Sequence, residues 1–405
     1  MENEQKMENE LLLQAKSMQK ELINMRRRIH GYAEIGFSLD KTKAFVKEKL
    51  EEYGYTPIDC GKAGVMADIG MDKDKKAFLL RADMDALPIK EETGLSFAAK
   101  NENMHACGHD MHTAMLLGAA RLLKQREEQL KQPIRLTFQP AEETLQGARD
   151  MLESGLLHRP QVNGGMMMHV LVATPLPSGT VVVSSQGVTA PAADYFTIIT
   201  QGKGCHGSMP HEGVDALNAL THIYIALQAI STREISISEP VVLTVGRLQA
   251  GCAANVLPDK AILQGTMRTY DEKTRVRLKK RIMETARAVG SAFRAKTNVT
   301  FDSGCPTLQN DGKISERAYK AAVALFGENQ VFTSEQLQKG KRVSGGGSED
   351  FAYVSHKIPT VMVALAAGGA KEGFSNPLHH PKTNFDESVL YRGSALYAAV
   401  ALSLK

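Results

Sequence analysis

Residues 103–120, with the sequence NMHACGHDMHTAMLLGAA, concentrate side chains that can bind metal ions. Cys107 and His109 are two positions apart, and residues with that separation in an extended loop point the same way. A thiolate and an imidazole suit zinc and its first-row neighbours better than magnesium or calcium. His112 lies three positions further along the expected helix, so it is either a ligand or a group that orients one. The other interpretation is a helix start with two histidines and a small buried cysteine.

Two adjacent carboxylates, Glu142 and Glu143, follow the strand-like segment PIRLTFQP. Adjacent carboxylates repel each other, and a bound cation relieves that repulsion. One glutamate can then bind metal while the other takes a proton from metal-bound water. Taken alone, the dipeptide favours a solvated acidic turn.

Further candidate ligands end other apolar segments. Asp83 and Asp85 end the segment FLLRADMDALP, and His169 follows GGMMM. Because sites in open α/β sheets form beyond the carboxyl ends of the strands, we expect these residues to meet in one crevice. A single histidine at a strand end is more often simply hydrogen-bonded. The pair His379 and His380, near the end of the chain, could supply a last ligand from a returning segment.

The segments that carry these residues are apolar runs that alternate with amphipathic helices. The runs GVMADIG, KAFLLRADM, PIRLTFQP, GGMMMHVLV and PTVMVALAAG are typical of buried strands, which predicts a mainly parallel sheet in an α/β domain. The first fifty or so residues predict two amphipathic helices, broken near GYAEIGFSLD. We expect this α/β domain, which carries the candidate metal ligands, to be discontinuous and to comprise residues 1–186 and 303–405.

The order of elements changes in residues 187–302. The predicted sequence is a strand at DYFTIIT, a helix at VDALNALTHIYIALQAIS, strands at PVVLTVGRLQA and KAILQGTMRTY, a helix at EKTRVRLKKRIMETARAVGSAF and a strand at TNVTFDS. This β-α-β-β-α-β order is the ferredoxin-like motif, so an inserted second domain is predicted. Within it, the segment GKGCHGSMPH surrounds Cys205 and His206 with glycines.

Composition excludes several classes of protein. The formal net charge of +4 is mild, and the chain has no block of Lys and Arg, so no nucleic-acid partner is expected. Five widely spaced cysteines argue against a disulfide framework and favour a reducing compartment. The N-terminus is polar and acidic, unlike a signal peptide, and no apolar run is long enough to span a membrane. We therefore expect a cytoplasmic protein without a membrane partner.

Taken together and in order, the motifs resemble those of one enzyme family. They are RRRIHGYAEIGFS, LRADMDALPI, MHACGHDMHTAMLLGAA, FQPAEE, GKGCHGSMPH, NVLPD, GTMRT, GSEDFAY and LHHP. The chain resembles the dinuclear metal-dependent amidohydrolases and metallopeptidases that include hippurate hydrolases, aminoacylases and indole-acetyl-amino-acid hydrolases. The resemblance implies a zinc-exopeptidase-like catalytic domain with an inserted ferredoxin-like domain that serves as lid and dimerisation domain.

The resemblance also implies roles for individual residues. The metal-ligand positions of the family are matched by Cys107, His109, Glu143, His169 and His379. Glu142 matches the general base, and His206 matches the group that polarises the scissile carbonyl, often across a dimer. Asn255 and Arg268 match positions that hold the substrate around its carboxylate, and a planar guanidinium suits that group.

The implied activity is hydrolysis of the amide bond of N-acyl amino acids, with Glu142 acting on metal-bound water. Two divalent cations per subunit are expected, and Zn, Mn, Co and Ni all suit the ligands. The expected partners are a small N-acyl amino acid and a second copy of the chain in a homodimer. Alternatives are a dipeptidase or carboxypeptidase on the same scaffold, a thiol hydrolase using Cys107, and a noncatalytic metal- or ligand-binding protein. The lid motif departs from the family pattern at Cys205, Gly207 and Ser208, which bears on substrate choice.

Overall fold

The computed structural model describes residues 2–70, 72, 74–338 and 347–404. The strands in these ranges are β1 (Ile58–Cys60), β2 (Gly64–Ile69), β3 (Ala77–Asp83), β4 (Ile134–Gln139), β5 (Val162–Leu171), β6 (Val181–Val183), β7 (Gly187–Ala190), β8 (Ala192–Gln201), β9 (Cys205–His206), β10 (Val241–Ala250), β11 (Val256–Leu257), β12 (Lys260–Thr269), β13 (Lys296–Cys305), β14 (Leu308–Asn310), β15 (Val331–Thr333) and β16 (Thr360–Ala366). The α-helices are α1 (Glu2–Ser17), α2 (Gln19–Tyr32), α3 (Asp40–Glu52), α4 (His109–Lys124), α5 (Gly147–Glu153), α6 (Ala216–Ala229), α7 (Glu272–Ala292), α8 (Gly312–Phe326), α9 (Ser334–Gln338), α10 (Ala352–Ser355) and α11 (Leu390–Leu402).

The chain forms two compact units. The first comprises Met1–Thr189, Gln309–Ser344 and Asp350–Lys405, and the second comprises Ala190–Leu308 with Gly345–Glu349. Both predicted domain junctions lie a few residues earlier along the chain than those of the structure. At the second junction this is because β13 continues past the predicted end of the last strand.

The first unit is built on an eight-stranded sheet in the order β1-β2-β4-β3-β5-β16-β6-β15. Strands β4, β3, β5 and β16 run parallel to one another. Their residues are mostly buried, as expected for a sheet covered on both faces. The predicted α/β class is therefore confirmed. Strand β2 runs antiparallel to β4, a difference that arises because an apolar run identifies a strand without indicating its direction.

Helix α4 holds the metal-capable segment in the core of the first unit. It packs against β3, β5 and α11, and all of its residues except Arg121 and Lys124 are buried. A helix that is apolar nearly all round belongs in a core. The N-terminal segment forms three helices where two were predicted, with an additional break at Met18. No helix in the described ranges has both the length and the apolar character needed to cross a bilayer.

Strands β3 and β5 separate towards their carboxyl ends. Their pairing stops at Arg81 and Met167. Beyond that point the Tyr397 hydroxyl of α11 donates to the Arg81 carbonyl at 2.7 Å and accepts from the Met168 N–H at 2.9 Å. A side chain thus replaces a ladder hydrogen bond, and the sheet opens at its carboxyl edge.

The second unit contains a four-stranded antiparallel sheet in the order β10-β12-β8-β13. Helices α6 and α7 pack on it around a shared apolar core. Each helix begins at an aspartate N-cap, since Asp215 accepts from the Asn218 N–H and Asp271 from the Thr274 N–H. The strand order and connections are those of the predicted ferredoxin-like motif, which is confirmed.

Candidate metal centre

Several segments of the first unit bring candidate side chains to the carboxyl edge of the parallel strands. Asp83 is the last residue of β3, and Glu142 and Glu143 follow β4. His169 lies near the end of β5, and His109 is the first residue of α4. The structure therefore brings together the strand ends that the sequence analysis singled out.

Cys107 and His109 converge for a different reason than the one predicted. The segment is not extended, because Gly108 has a left-handed φ of 87° and directly precedes α4. A Cβ atom on Gly108 would lie 2.4 Å from Val170 Cγ2. The position therefore requires glycine on grounds of both conformation and space.

Five side chains form a compact set of potential ligands. The Cys107 Sγ lies 3.5 Å from His169 Nε2 and 3.3 Å from His379 Nε2. The Glu143 Oε1 lies 3.5 Å from His379 Nε2 and 3.8 Å from His109 Nε2. These are the five residues to which the sequence analysis gave ligand positions.

The spacing and the unused polar atoms of this set fit metal ions. Two ligand atoms bound to one zinc ion at about 2.0–2.3 Å lie roughly 3.3–3.8 Å apart in tetrahedral geometry. Among the described residues, the buried His109 Nε2 and Glu143 Oε1 have no hydrogen-bond partner, although buried polar atoms are normally paired. Sulfur, imidazole and carboxylate donors together suit zinc and its first-row neighbours.

Burial favours the uncharged form of each group, so it lowers the pKa of a histidine and raises the pKa of a carboxyl or thiol group. It lowers the pKa of His169 to about 3, which keeps the imidazole neutral and able to coordinate. It raises the pKa of Glu143 to about 7, and raises that of Cys107 well above its usual value. Bound cations favour the deprotonated carboxylate and thiolate, so metal binding would release protons.

Glu142 lies beside this set, and Asp85 holds its backbone in place. It is buried, and its Oε2 is 3.9 Å from His109 Nε2. The backbone N–H groups of Glu142 and Glu143 donate to the two Asp85 carboxylate oxygens at 3.0 and 3.2 Å. Asp85 thus fixes the turn that presents both glutamates to the same cluster.

His112 uses both ring nitrogens in hydrogen bonds, which excludes it as a ligand in this arrangement. Its Nε2 accepts from the Val170 N–H at 2.8 Å, so the proton lies on Nδ1. Nδ1 then donates to the Asp83 carboxylate at 2.6 Å. His112 therefore clamps the end of β5, next to His169, to the end of β3.

Asp83 belongs to a buried network that extends away from the ligands. Arg81 donates to Asp83 at 2.7 Å and to Gln139 at 3.0 Å, and Gln139 donates to Asp350 at 2.5 Å. The Arg81 guanidinium, together with His109 whenever its ring is protonated, more than offsets the effect of burial, so the pKa of Asp83 is held well below its usual range. The carboxylate is therefore available as an acceptor for His112.

The two C-terminal histidines have different surroundings. His379 has a φ of 64°, and its N–H donates to the Ala106 carbonyl at 2.9 Å. This contact holds its ring next to Cys107 and Glu143. His380 Nδ1 instead accepts from the Lys382 N–H at 3.1 Å. Of the two, His379 is the one whose ring nitrogen joins the cluster.

The remaining candidates lie in the second unit. His206 of β9 and Asn255 are neighbours, since β9 pairs with β11 and the Gly207 N–H donates to the Asn255 carbonyl at 2.8 Å. The Ser208 N–H donates to His206 Nδ1 at 3.2 Å, which leaves the ring proton on the exposed Nε2. Arg268 of β12 lies with its guanidinium carbon 5.6 Å from the centre of the Tyr195 ring.

Comparison with known proteins identifies the family of the chain. The sequence profile of Peptidase family M20/M25/M40 matches residues 79–403. The chain belongs to this family. Its resemblance to metal-dependent amidohydrolases and metallopeptidases is therefore confirmed, and the protein is an M20-family hydrolase.

Individual relatives span nearly the whole chain. The chain is 37% identical over 384 residues to the N-acetyl-L-cysteine deacetylase of Bacillus subtilis, covering 93% of this chain and 86% of that one. It is 33% identical over 388 residues to thermostable carboxypeptidase 1 of Saccharolobus solfataricus, covering 94% of each. A crystal structure of a dinuclear metal binding M20 peptidase, the Bacillus subtilis YXEP protein, superposes with a TM-score of 0.76 at 34% identity and covers 96% of this chain and 98% of that one.

Sequence reasoning missed several residues that hold the candidate metal ligands and Glu142 in position. It identified Asp83 and Asp85 only as possible ligands, whereas they hold His112 and the two glutamate N–H groups. Tyr397 gave no signal, because a tyrosine in an apolar terminal helix is normally core packing. For Ser208, the only available signal was its departure from the family's lid motif.

Proposed function

We propose that the protein hydrolyses the amide bond of N-acyl amino acids. The observation that carries this proposal is a buried carboxylate, Glu142, beside a compact set of sulfur, imidazole and carboxylate donors at the carboxyl edge of the sheet. Similarity to a deacetylase of an N-acetylated amino acid supports the substrate class. Water would add to the carbonyl carbon, and the C–N bond would break to give a carboxylate and an amine.

Two divalent cations per subunit are the proposed cofactors. Their ligands would be Cys107, His109, Glu143, His169 and His379. When bound, such cations supply Lewis-acid chemistry, which acidifies water and polarises a carbonyl. Zn, Mn, Co and Ni suit these donors.

Glu142 is the proposed general base. Both glutamates lie at a similar distance from His109 Nε2, 3.8 Å for Glu143 and 3.9 Å for Glu142, but Glu143 also lies 3.5 Å from His379 Nε2. Glu143 is therefore the proposed ligand, and proton transfer is assigned to Glu142. It would take a proton from the attacking water and deliver it to the leaving nitrogen. Asp85, which accepts from the Glu142 N–H, keeps the carboxylate in reach of the reacting atoms.

His206 is the proposed donor to the carbonyl oxygen as negative charge develops there. The Ser208 N–H at Nδ1 supports this role, because it leaves a proton on Nε2. One preorganised donor of this kind contributes about 2.7–4 kcal/mol of transition-state stabilisation in a well-studied protease. Asn255 and Arg268 would hold the carboxylate end of the substrate.

A matched substrate panel tests the proposal. N-acetyl and N-benzoyl amino acids, and dipeptides with the same C-terminal residue, would be incubated with chelator-treated and metal-reconstituted protein, and released amino acids identified directly. We expect metal-dependent release that is fastest from the N-acyl amino acids. Faster dipeptide cleavage would favour the carboxypeptidase alternative, which similarity to a carboxypeptidase supports. Tight metal binding without release from any amide would indicate a noncatalytic binding protein.

A cytoplasmic homodimer is the proposed state of the enzyme. Among the strands that the structure describes, β10 has a neighbour on only one side. The strand carries exposed apolar side chains, Val242 and Leu248, which are 53% and 42% exposed. An unpaired edge with apolar side chains is a natural place for a second copy of the chain to pair.

A further inference from the structure

A wide groove lies at the amino-terminal edge of the parallel strands, opposite the metal centre. Its walls include Lys76 just before β3, Gln132 just before β4 and Asn163 at the start of β5. Its volume is about 1440 Å³, more than the ~300–1,000 Å³ typical of small-molecule sites. Strand β3 alone places roughly 20 Å between this edge and the site residues. A ligand in the groove would therefore not touch the reacting atoms.

Cations line the groove on two sides. On one side the helix α8 contributes Lys313, Arg317 and Lys320 at helical spacing, so that they share one face. On the other side the loops before β3 and β4 contribute Lys75, Lys76 and Lys131. The lining also includes three carboxylates, Glu8, Asp74 and Glu316, together with Ser403 and the small or apolar side chains of Ala321, Ala324, Leu402 and Leu404.

Three carboxylates share the lining, but most of the six cations form no ion pair with a described residue. Lys320 pairs with Glu316 at 2.6 Å, and Lys75 lies 3.5 Å from Asp72. Within the described part of the chain, the other four basic side chains of the groove, Lys76, Lys131, Lys313 and Arg317, make no ion pair. The six cations outnumber the three carboxylates of the lining, so the groove carries a net positive charge that favours an anion.

The chemistry of the walls favours phosphate over other anions. Five of the six cations are lysines, which bind phosphate as point charges, whereas planar carboxylates are best matched by the arginine fork. The lining residues in the described ranges include no aromatic side chain, so bases would find no stacking surface. The volume of the groove, about 1440 Å³, is far larger than a single phosphate needs and suits a chain of phosphates.

We propose that this groove binds a linear polyphosphate-type anion, which would contact the basic side chains of α8 and of the loops before β3 and β4. The site is separate from the hydrolytic centre and does not depend on the proposed activity. It would hold the enzyme on a polymer of phosphates through salt-sensitive contacts.

Binding of medium-length sodium polyphosphate to the full-length, metal-loaded protein tests this at about 50 mM salt, where such contacts are strong. The test variant is Lys313→Gln with Arg317→Gln. The matched control is Lys296→Gln with Arg287→Gln, which removes the same charges from exposed positions of the second unit. We expect the test variant to bind about tenfold more weakly with a shallower salt dependence, and the control to match the unchanged protein. Circular dichroism and amide hydrolysis establish that each variant is folded.

Several results would overturn the proposal. They are no binding of polyphosphate at low salt, equal weakening in the test and control variants, and binding of inorganic monophosphate as tight as that of the polymer. Equal or tighter binding of poly-glutamate would assign the groove to acidic peptides, and equal or tighter binding of single-stranded DNA would assign it to nucleic acid. Either outcome also contradicts the phosphate-chain assignment.

Discussion

Glu142 and Glu143 are adjacent in sequence, and we propose different roles for them. Glu143 lies 3.5 Å from His379 Nε2 and 3.8 Å from His109 Nε2, and Glu142 lies 3.9 Å from His109 Nε2. We expect Glu142→Gln to retain its metal content and to lower kcat by about 10²–10⁴-fold, since it loses proton transfer but keeps its shape. Steady-state kinetics and elemental analysis on the same sample measure both quantities.

The neighbouring substitution provides the control. Glu143→Gln should lose bound metal, because it removes a charged ligand and leaves the base intact. If Glu142→Gln instead turned over substrate at a near-normal rate, another residue would have to be the base.

His112 makes a second prediction at the residue scale. Removing the clamp with His112→Ala should weaken metal binding by about 10–100-fold, as is usual for residues that orient ligands. His112→Gln should restore most of that affinity, because its amide can donate to Asp83 and accept from the Val170 N–H. Metal titration of both variants measures the difference. Equal loss in two folded variants would mean that the imidazole has a role beyond these two hydrogen bonds.

At the scale of elements, the sequence predicted the strands of the site and missed what joins their ends. Apolar runs ending in acidic residues or histidine identified β3, β4 and β5, and strand ends in an α/β sheet lie together. The clamp depends on contacts across 29 and 58 residues of sequence, and the Tyr397 contact with Arg81 spans 316. Periodicity reports only local structure, so it could not reveal such contacts.

The Tyr397 bridge makes a prediction for the packing of β3, β5 and α11. In Tyr397→Phe the Arg81 carbonyl and the Met168 N–H lose their buried partner. We expect the first unit to lose about 1–3 kcal/mol of unfolding free energy, the usual cost of unsatisfied buried groups. Urea unfolding followed by hydrogen exchange in β3 and β5 measures this loss. Tyr224→Phe, at a position 39% exposed, is the control and should be neutral. Unchanged stability in Tyr397→Phe would show that the bridge is dispensable.

At the scale of the whole molecule, the free edge of β10 makes a prediction about assembly. Val242→Asp with Leu248→Asp places charge on the exposed apolar positions of this strand. By light scattering, we expect the unchanged protein to be dimeric and this variant to be monomeric. Leu13→Asp, at a 68% exposed position of α1, should leave the dimer intact. A dimeric β10 variant would place the interface elsewhere.

A dimer would also raise the question of whether the proposed carbonyl donor, His206, serves the site of its own chain or that of the partner. If each site takes His206 from the partner subunit, His206→Ala and Glu142→Gln chains, each inactive alone, should complement one another when co-expressed. Random pairing makes half of the dimers mixed, and each mixed dimer holds one intact site of two. About a quarter of normal activity is therefore expected of the unfractionated mixture, and about half of normal activity is expected of purified mixed dimers. Mixed dimers isolated with two affinity tags would be assayed for amide hydrolysis. Activity no higher than that of either parent would mean that His206 serves the site of its own chain, because a mixed dimer would then lack any site with both groups.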